Sequence, residues 1–119
     1  MTQQRTGPSS QAEESTVTFD ARLRINDRTA TIELKGELDA ETAPQFHDTV
    51  TTAAQSGAIE LVIRAEQLVY LSSAGLRSLV FARQKMGDDV RIAVVGAVDT
   101  VARTIRLAGF DHSIDLVDA

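Results

Sequence analysis

The chain has no cysteine and no tryptophan among its 119 residues, and it has only two histidines. The lack of cysteine excludes disulfides, thiolate catalysis and cysteine-ligated metal sites. No apolar run approaches the roughly 20 residues that cross a bilayer. The first residues also lack the apolar segment of a secretory signal. We therefore expect a cytoplasmic protein with no membrane partner.

Basic residues are scarcer than acidic ones, 12 against 17, which gives a formal net charge of −5. This balance argues against nucleic acid as a partner, because polyanions attract Lys and Arg. The length fits one domain. Few catalytic side chain types are present, so we expect a binding protein that is not an enzyme and uses no cofactor.

Two segments differ in composition. Residues 1–16 are rich in Thr, Gln, Ser and Glu and have no apolar period, which predicts a disordered N-terminal tail. Residues 17–119 show the apolar periods of strands and helices, which predict one folded domain. The periods predict strands over 17–25, 29–36, 59–65 and 90–96, helices over 39–55, 74–86 and 98–108, and a last short strand over 113–118.

This order predicts an α/β fold with a mixed sheet of four to five strands and three to four helices. Helices that alternate with apolar strands imply parallel central pairs, and the first hairpin adds an antiparallel edge. The third strand is continuously apolar and is therefore expected to be covered on both faces. Asp39 is the expected N-cap of the first helix.

Several kinds of catalytic or metal site are not supported by the sequence. There is no glycine-rich phosphate loop, and no G-x-S-x-G motif surrounds Ser73. His47 is expected within a helix beside its apolar stripe, as a surface or boundary histidine, and His112 in a turn. Asp111, His112 and Asp115 are too weak a set to predict a metal site.

Two adjacent serines, Ser72 and Ser73, stand between an apolar run and the start of the second helix. A serine here can cap the helix by accepting a hydrogen bond from a first-turn N–H. A serine hydroxyl at this place can also accept a phosphate, which adds about −1.5 to −2 of charge. Capping and phosphorylation both use a serine hydroxyl at the start of the helix, so the residues alone leave both interpretations open.

Three motifs together resemble the STAS domain of bacterial anti-sigma factor antagonists. They are GELDAETAP at Gly36–Pro44, YLSSAGLRSL at Tyr70–Leu79 and RLAGFDHSIDLVD at Arg106–Asp118. The resemblance covers about residues 16–117. It implies a STAS fold over 17–119 and an expected monomer.

The resemblance implies a partner switch. The unphosphorylated antagonist binds a serine-kinase anti-sigma factor and so frees a sigma factor; the kinase then uses ATP to phosphorylate the antagonist, and a serine phosphatase reverses this. The family's phosphorylated serine falls on Ser73, and Ser72 stands where an aspartate is usual. Ser72 is the less favoured acceptor. The partner-binding residues implied or inferred are Glu37, Asp39, Ser72, Ser73, Ala74, Gly75, Arg77 and Phe81.

Phe81 enters this set through helical geometry. If Leu76 is the centre of the buried face, Arg77 and Phe81 project away from it at 100° per residue. A large aromatic ring on a polar face is typical of an interface anchor. We therefore expect Phe81→Ala to weaken partner binding with little loss of stability.

Two other functions stay open. The chain can be a constitutive STAS subunit of a sensory or transport assembly, in which Ser73 only caps the helix. A small hydrolase that uses Ser73 is the third hypothesis, and the absent motif and base disfavour it.

Overall fold

The computed structural model describes residues 19–119, which form a five-stranded sheet with three α-helices. The predicted tail, residues 1–16, and the first two residues of the first predicted strand lie outside this range. The elements are β1 Asp20–Asn26, β2 Thr29–Leu38, α1 Ala43–Gln55, β3 Glu60–Leu71, α2 Ser73–Met86, β4 Arg91–Val95, α3 Asp99–Leu107 and β5 Asp115–Val117, with a 3₁₀ turn at Phe110–His112.

The strands lie in the order β1-β2-β3-β4-β5. β1 pairs antiparallel with β2, and the other pairs are parallel. The hairpin turns at Asp27, which adopts a left-handed conformation with φ 60°, one that Asp tolerates. The predicted mixed α/β fold is confirmed. Since β2, β3 and β4 run parallel, their carboxyl ends meet at one edge of the sheet.

The core lies on one face of the sheet. Alternate residues of the central strands, such as Ile32, Ile63 and Val94, are buried together with residues of all three helices. On the opposite face of β3, Val62 and Arg64 are only half-buried. The prediction that β3 is covered on both faces was wrong, because the helices pack against the same side of the sheet.

Two boundaries differ from the predicted ones. β2 continues to Leu38, and α1 begins at Ala43 instead of Asp39. β3 runs unbroken to Leu71, where a loop was expected near Gln67. Both strands are longer because they pair with each other as far as Leu38 and Leu71, with register shifts on either side of Gly36.

The buried side of α2 also differs from prediction. Gly75, Ser78, Leu79 and Ala82 are its buried residues, whereas Leu76 was expected at the centre. Leu76 is half-buried. Compared with the predicted orientation, α2 is rotated about its axis so that Gly75 faces the sheet. This orientation follows from the close packing of its first turn on the end of β2.

Candidate functional site

The ends of β2 and β3 bring two sequence motifs together. Glu37 is the register partner of Tyr70, and Leu38 is that of Leu71. The backbone N–H of Ser72 donates to the carbonyl oxygen of Leu38 at 3.1 Å. The chain therefore forms one shallow concave surface, here called the serine surface, from two segments about 30 residues apart. It is lined by Asp39, Ala40, Glu41, Tyr70, Ser72, Ser73 and Ala74.

Asp39 shapes the turn between β2 and α1. Its Oδ1 accepts from the backbone N–H groups of Glu41 and Thr42 at 2.9 and 3.1 Å. The hydroxyl of Thr42 lies 2.8 Å from the carbonyl oxygen of Glu37 and accepts from the N–H of Asp39. The N-cap of α1 is Thr42, so the prediction of Asp39 as the cap was wrong. The carboxylate is instead fixed at the serine surface and half-exposed.

Ser72 is the N-cap of α2. Its Oγ accepts from the N–H of Gly75 at 3.1 Å and lies 3.4 Å from the carbonyl oxygen of Leu38, to which it donates. Its backbone is extended, with φ −85° and ψ 175°, as is usual at an N-cap. The hydroxyl of Ser72 therefore has two partners inside the domain. An aspartate at this position would also accept from the first turn.

Ser73 is the first residue of α2 and is exposed. Within residues 19–119, its Oγ makes no hydrogen bond. Helix capping and availability for phosphorylation thus belong to different serines. Ser72 performs the capping, and Ser73 presents an unbonded hydroxyl to the surroundings.

Gly75 lets α2 approach β2. It is buried, and an added Cβ would overlap the carbonyl oxygen of Leu38 and lie 2.8 Å from Cδ1 of Leu71. Carbon atoms normally pack about 3.5–4.0 Å apart. A side chain here would therefore push the first turn of α2, including Ser73, away from the strand ends.

Charge is unevenly distributed around Ser73. Glu37 and Glu41 are exposed and Asp39 half-exposed on the β2–α1 side. Arg77, one turn further along α2, is an exposed cation. The predicted set of Glu37, Asp39, Ser72–Gly75 and Arg77 is thus gathered around the start of α2.

The two aromatic residues of this region differ from expectation. Phe81 is half-buried against the core, and its ring stacks on His47 with centroids 4.1 Å apart. The expectation that it projects away from the buried face was wrong, because the rotation of α2 turns it toward α1. Tyr70 is 52% exposed and lines the serine surface. Sequence reasoning missed Tyr70, whose only signal was its place next to Leu71 and the serines.

His47 belongs to a structural contact. Its Nε2 lies 3.1 Å from Oγ of Ser78, and that hydroxyl donates to the carbonyl oxygen of Ala74 at 3.2 Å. Ser78 is buried at 1% exposure. The hydroxyl of Ser78 is thus engaged by the ring of His47 and by the backbone of its own helix. This arrangement places His47 against Ser78 and not against Ser73, so it does not supply the base that the hydrolase hypothesis for Ser73 requires.

Within residues 19–119, no group of three His, Asp or Glu side chains is placed to hold a metal ion. His112 lies in the 3₁₀ turn after α3, as expected for a turn residue. None of the helices described combines the length and apolar character that a membrane crossing requires.

Comparison with known proteins identifies several relatives. The anti-sigma-F factor antagonist RsfB of Mycobacterium tuberculosis is 29% identical over 87 residues, 73% of this chain and 71% of RsfB. The crystal structure of an anti-sigma factor antagonist from Mycobacterium paratuberculosis superposes with a TM-score of 0.77 at 25% identity, covering 84% of this chain and 86% of that one.

A further solved structure shares the fold. The Bacillus cell fate determinant SpoIIAA in its phosphorylated form gives a TM-score of 0.66 at 20% identity, over 86% of this chain and 91% of SpoIIAA. The family model described as "Mlab, STAS domain" matches residues 21–118. This chain therefore belongs to the STAS domain family.

Proposed function

We propose that this protein is an anti-sigma factor antagonist controlled by phosphorylation of Ser73. In its unphosphorylated form it binds a serine-kinase anti-sigma factor in the cytoplasm and so releases a sigma factor. The observation that carries this proposal is the exposed hydroxyl of Ser73, which has no hydrogen-bond partner among residues 19–119, next to the capping Ser72. The relative named an anti-sigma-F factor antagonist supports the same function.

The switching step is a phosphoryl transfer. The kinase moves the γ-phosphoryl group of ATP to Oγ of Ser73, ADP leaves, and the hydroxyl proton passes to a base of the kinase. The chain is the substrate of this reaction and not its catalyst. A serine phosphatase hydrolyses the phosphoester and restores the hydroxyl with release of inorganic phosphate.

The position of Ser73 favours a switch that leaves the fold intact. Its hydroxyl has no partner within residues 19–119 that phosphorylation would displace. The positive end of α2 tolerates the added negative charge. A partner docked on the serine surface would instead meet about −1.5 to −2 of new charge. Phosphorylation of Ser72 would break the hydrogen bonds to Gly75 and Leu38, which makes Ser72 the poorer acceptor.

The partner-binding surface combines a charged rim with an apolar floor. Glu37 and Asp39 supply carboxylates from the end of β2 and the turn after it, and Arg77 supplies a guanidinium from α2. Ala74 lines the surface, and Gly75 sets the height of the first turn of α2. We add Tyr70 as the aromatic anchor, because it is 52% exposed and lines this surface. Aromatic residues are enriched among binding hot spots.

Release of the partner by ATP tests this proposal. The tagged chain is used to isolate a serine-kinase anti-sigma factor from its native cells, and the complex is then incubated with ATP and magnesium. Wild-type protein should acquire phosphate and release the kinase. Ser73→Ala should bind the kinase as tightly and stay bound after ATP addition.

Ser113→Ala is the matched control. Ser113 is also exposed, but it lies after α3 and away from the serine surface, so this variant should be released like the wild type. Release of Ser73→Ala at the wild-type rate would contradict the proposal. Absence of phosphate from both Ser72 and Ser73 after incubation with the captured kinase and ATP would also contradict the proposal.

A constitutive STAS subunit of a sensory or transport assembly is the second candidate. It is favoured by the description of the matching family model as Mlab and by Ser72 in place of the usual acidic residue. In that case Ser73→Ala and Ser73→Asp would bind the partner equally, and ATP would change nothing.

A further inference from the structure

The spacing of Ser73 and Arg77 places them on the same side of α2. Ser73 is the first residue of the helix and Arg77 follows four positions later. Residues four apart on a helix have Cβ atoms about 5–6 Å apart, and an anion on the N-terminal side of a cation is the more favourable order. A phosphate on Ser73 is therefore within reach of the guanidinium of Arg77.

Arg77 has no competing partner within residues 19–119, where it makes no ion pair or hydrogen bond. Arg83, on the same helix, is different. Its guanidinium donates to the carbonyl oxygens of Gly87, Val90 and Ser113 at 2.9, 2.6 and 2.7 Å. Arg83 is thus committed to the fold, whereas Arg77 is available for a new anion.

Three carboxylates near Ser73 repel such an anion. Asp39 and Glu41 line the same concave surface as Ser73, and Glu37 is exposed beside them. A phosphate dianion on Ser73 is pushed away from these carboxylates and toward Arg77. The neutral cap Ser72 adds no further negative charge next to the phosphate.

We propose that Arg77 binds the phosphate of phosphorylated Ser73 and is thereby withdrawn from the partner-binding surface. This inference rests on the proposed function, because it concerns the regulation of the same site. Phosphorylation then makes two changes at once. It adds a dianion that the partner must accommodate, and it engages the cation that the unphosphorylated surface offered.

Titration of the phosphate tests this inference. Phosphoserine is installed at position 73 of the full chain by genetic encoding, and the phosphate is titrated by phosphorus NMR without any partner present. Arg77→Ala should raise the proton affinity of the phosphate about two- to threefold, the size expected for a charge-assisted pair four residues apart. Arg77→Lys should restore much of the difference, and salt at about 1 M should remove it, because the screening length is then about 3 Å.

Lys85→Ala is the matched control, since Lys85 is an exposed cation on the same helix, three turns from Ser73. It should leave the titration unchanged. A titration unaffected by Arg77→Ala, or shifted equally by Lys85→Ala, would overturn the inference. Because the phosphate is installed without a kinase, that result would overturn the role of Arg77 and leave the proposed function standing. The titration also gives its result whether or not the kinase experiment succeeds, so the two failures are distinguishable.

Discussion

The first turn of α2 packs tightly on the end of β2 at Gly75, and Gly75→Ala tests this contact. The added Cβ would overlap the carbonyl oxygen of Leu38 and lie 2.9 Å from its carbon and 2.8 Å from Cδ1 of Leu71. Backbone atoms cannot rotate aside as a flexible side chain does. The start of the helix must therefore move outward, which strains the hydrogen bonds from Ser72 to Leu38.

The sign of the effect depends on two opposing free energies. Alanine is favoured over glycine inside a helix by about 1 kcal/mol. Overpacking costs about 1–3 kcal/mol, and the weakened hydrogen bond from Ser72 to Leu38 costs about 1 kcal/mol more. We expect Gly75→Ala to lower the free energy of unfolding by about 1–3 kcal/mol, a Tm decrease of roughly 5–15 °C for a domain of this size.

Calorimetry and amide NMR spectra measure the two parts of this prediction. Gly57→Ala is the control. Gly57 has φ +79° and nothing within 4 Å of an added Cβ, so this variant introduces backbone strain without a steric clash. Gly75→Ala should shift the amide signals of Leu38, Asp39 and Ser73, whereas Gly57→Ala should leave them in place. A Gly75→Ala protein that is as stable as the wild type, with unshifted signals, would refute the reasoning.

Five further substitutions, at four residues, test the roles of neighbouring side chains. Ser72→Ala should lower the free energy of unfolding by about 1 kcal/mol through loss of the cap, while Ser72→Asp should retain it; equal denaturation midpoints for all three proteins would contradict capping. Phe81→Ala should cost roughly 2–3 kcal/mol, less than the 3–5 kcal/mol of a fully buried ring, whereas Tyr70→Ala should leave the Tm unchanged and weaken kinase binding in titration calorimetry; the reverse pattern would make Phe81 the anchor. Ser78→Ala should cost about 1 kcal/mol by removing the partner of His47, and an unchanged unfolding midpoint would argue against that contact.

Much of the fold was predictable because its signals are local. The stripe of Phe46, Val50 and Ala53 places α1 on the core, as its helical period predicts. Asn26 and Asp27 mark the hairpin turn. Each of these features depends only on residues that are close in sequence, so the sequence pattern predicts it directly.

Features that depend on contacts between distant segments were not predictable. Asp39 and Thr42 are both good capping residues, and only the pairing of β2 with β3 to Leu38 decides that α1 begins later. The rotation of α2 depends on the approach of Gly75 to Leu38, residues 37 positions apart. That rotation turns Phe81 toward α1.

At the site, the motifs predicted the right place but not the division of roles. Ser72 and Ser73 both precede the predicted start of the helix at residue 74, and in the sequence alone either hydroxyl can accept from a first-turn N–H. The extended backbone of Ser72, held by its N–H bond to Leu38, decides which one does. Tyr70 was missed because its exposure follows from the concave shape that two separate segments make.

Phosphopeptide mapping of the protein from its native cells, across growth and stress conditions, tests the central claim most directly. The account predicts phosphate on Ser73, in a fraction that changes with condition, and none on Ser72. Absence of phosphate from Ser73 in every condition, or phosphate on Ser72 instead, would contradict it.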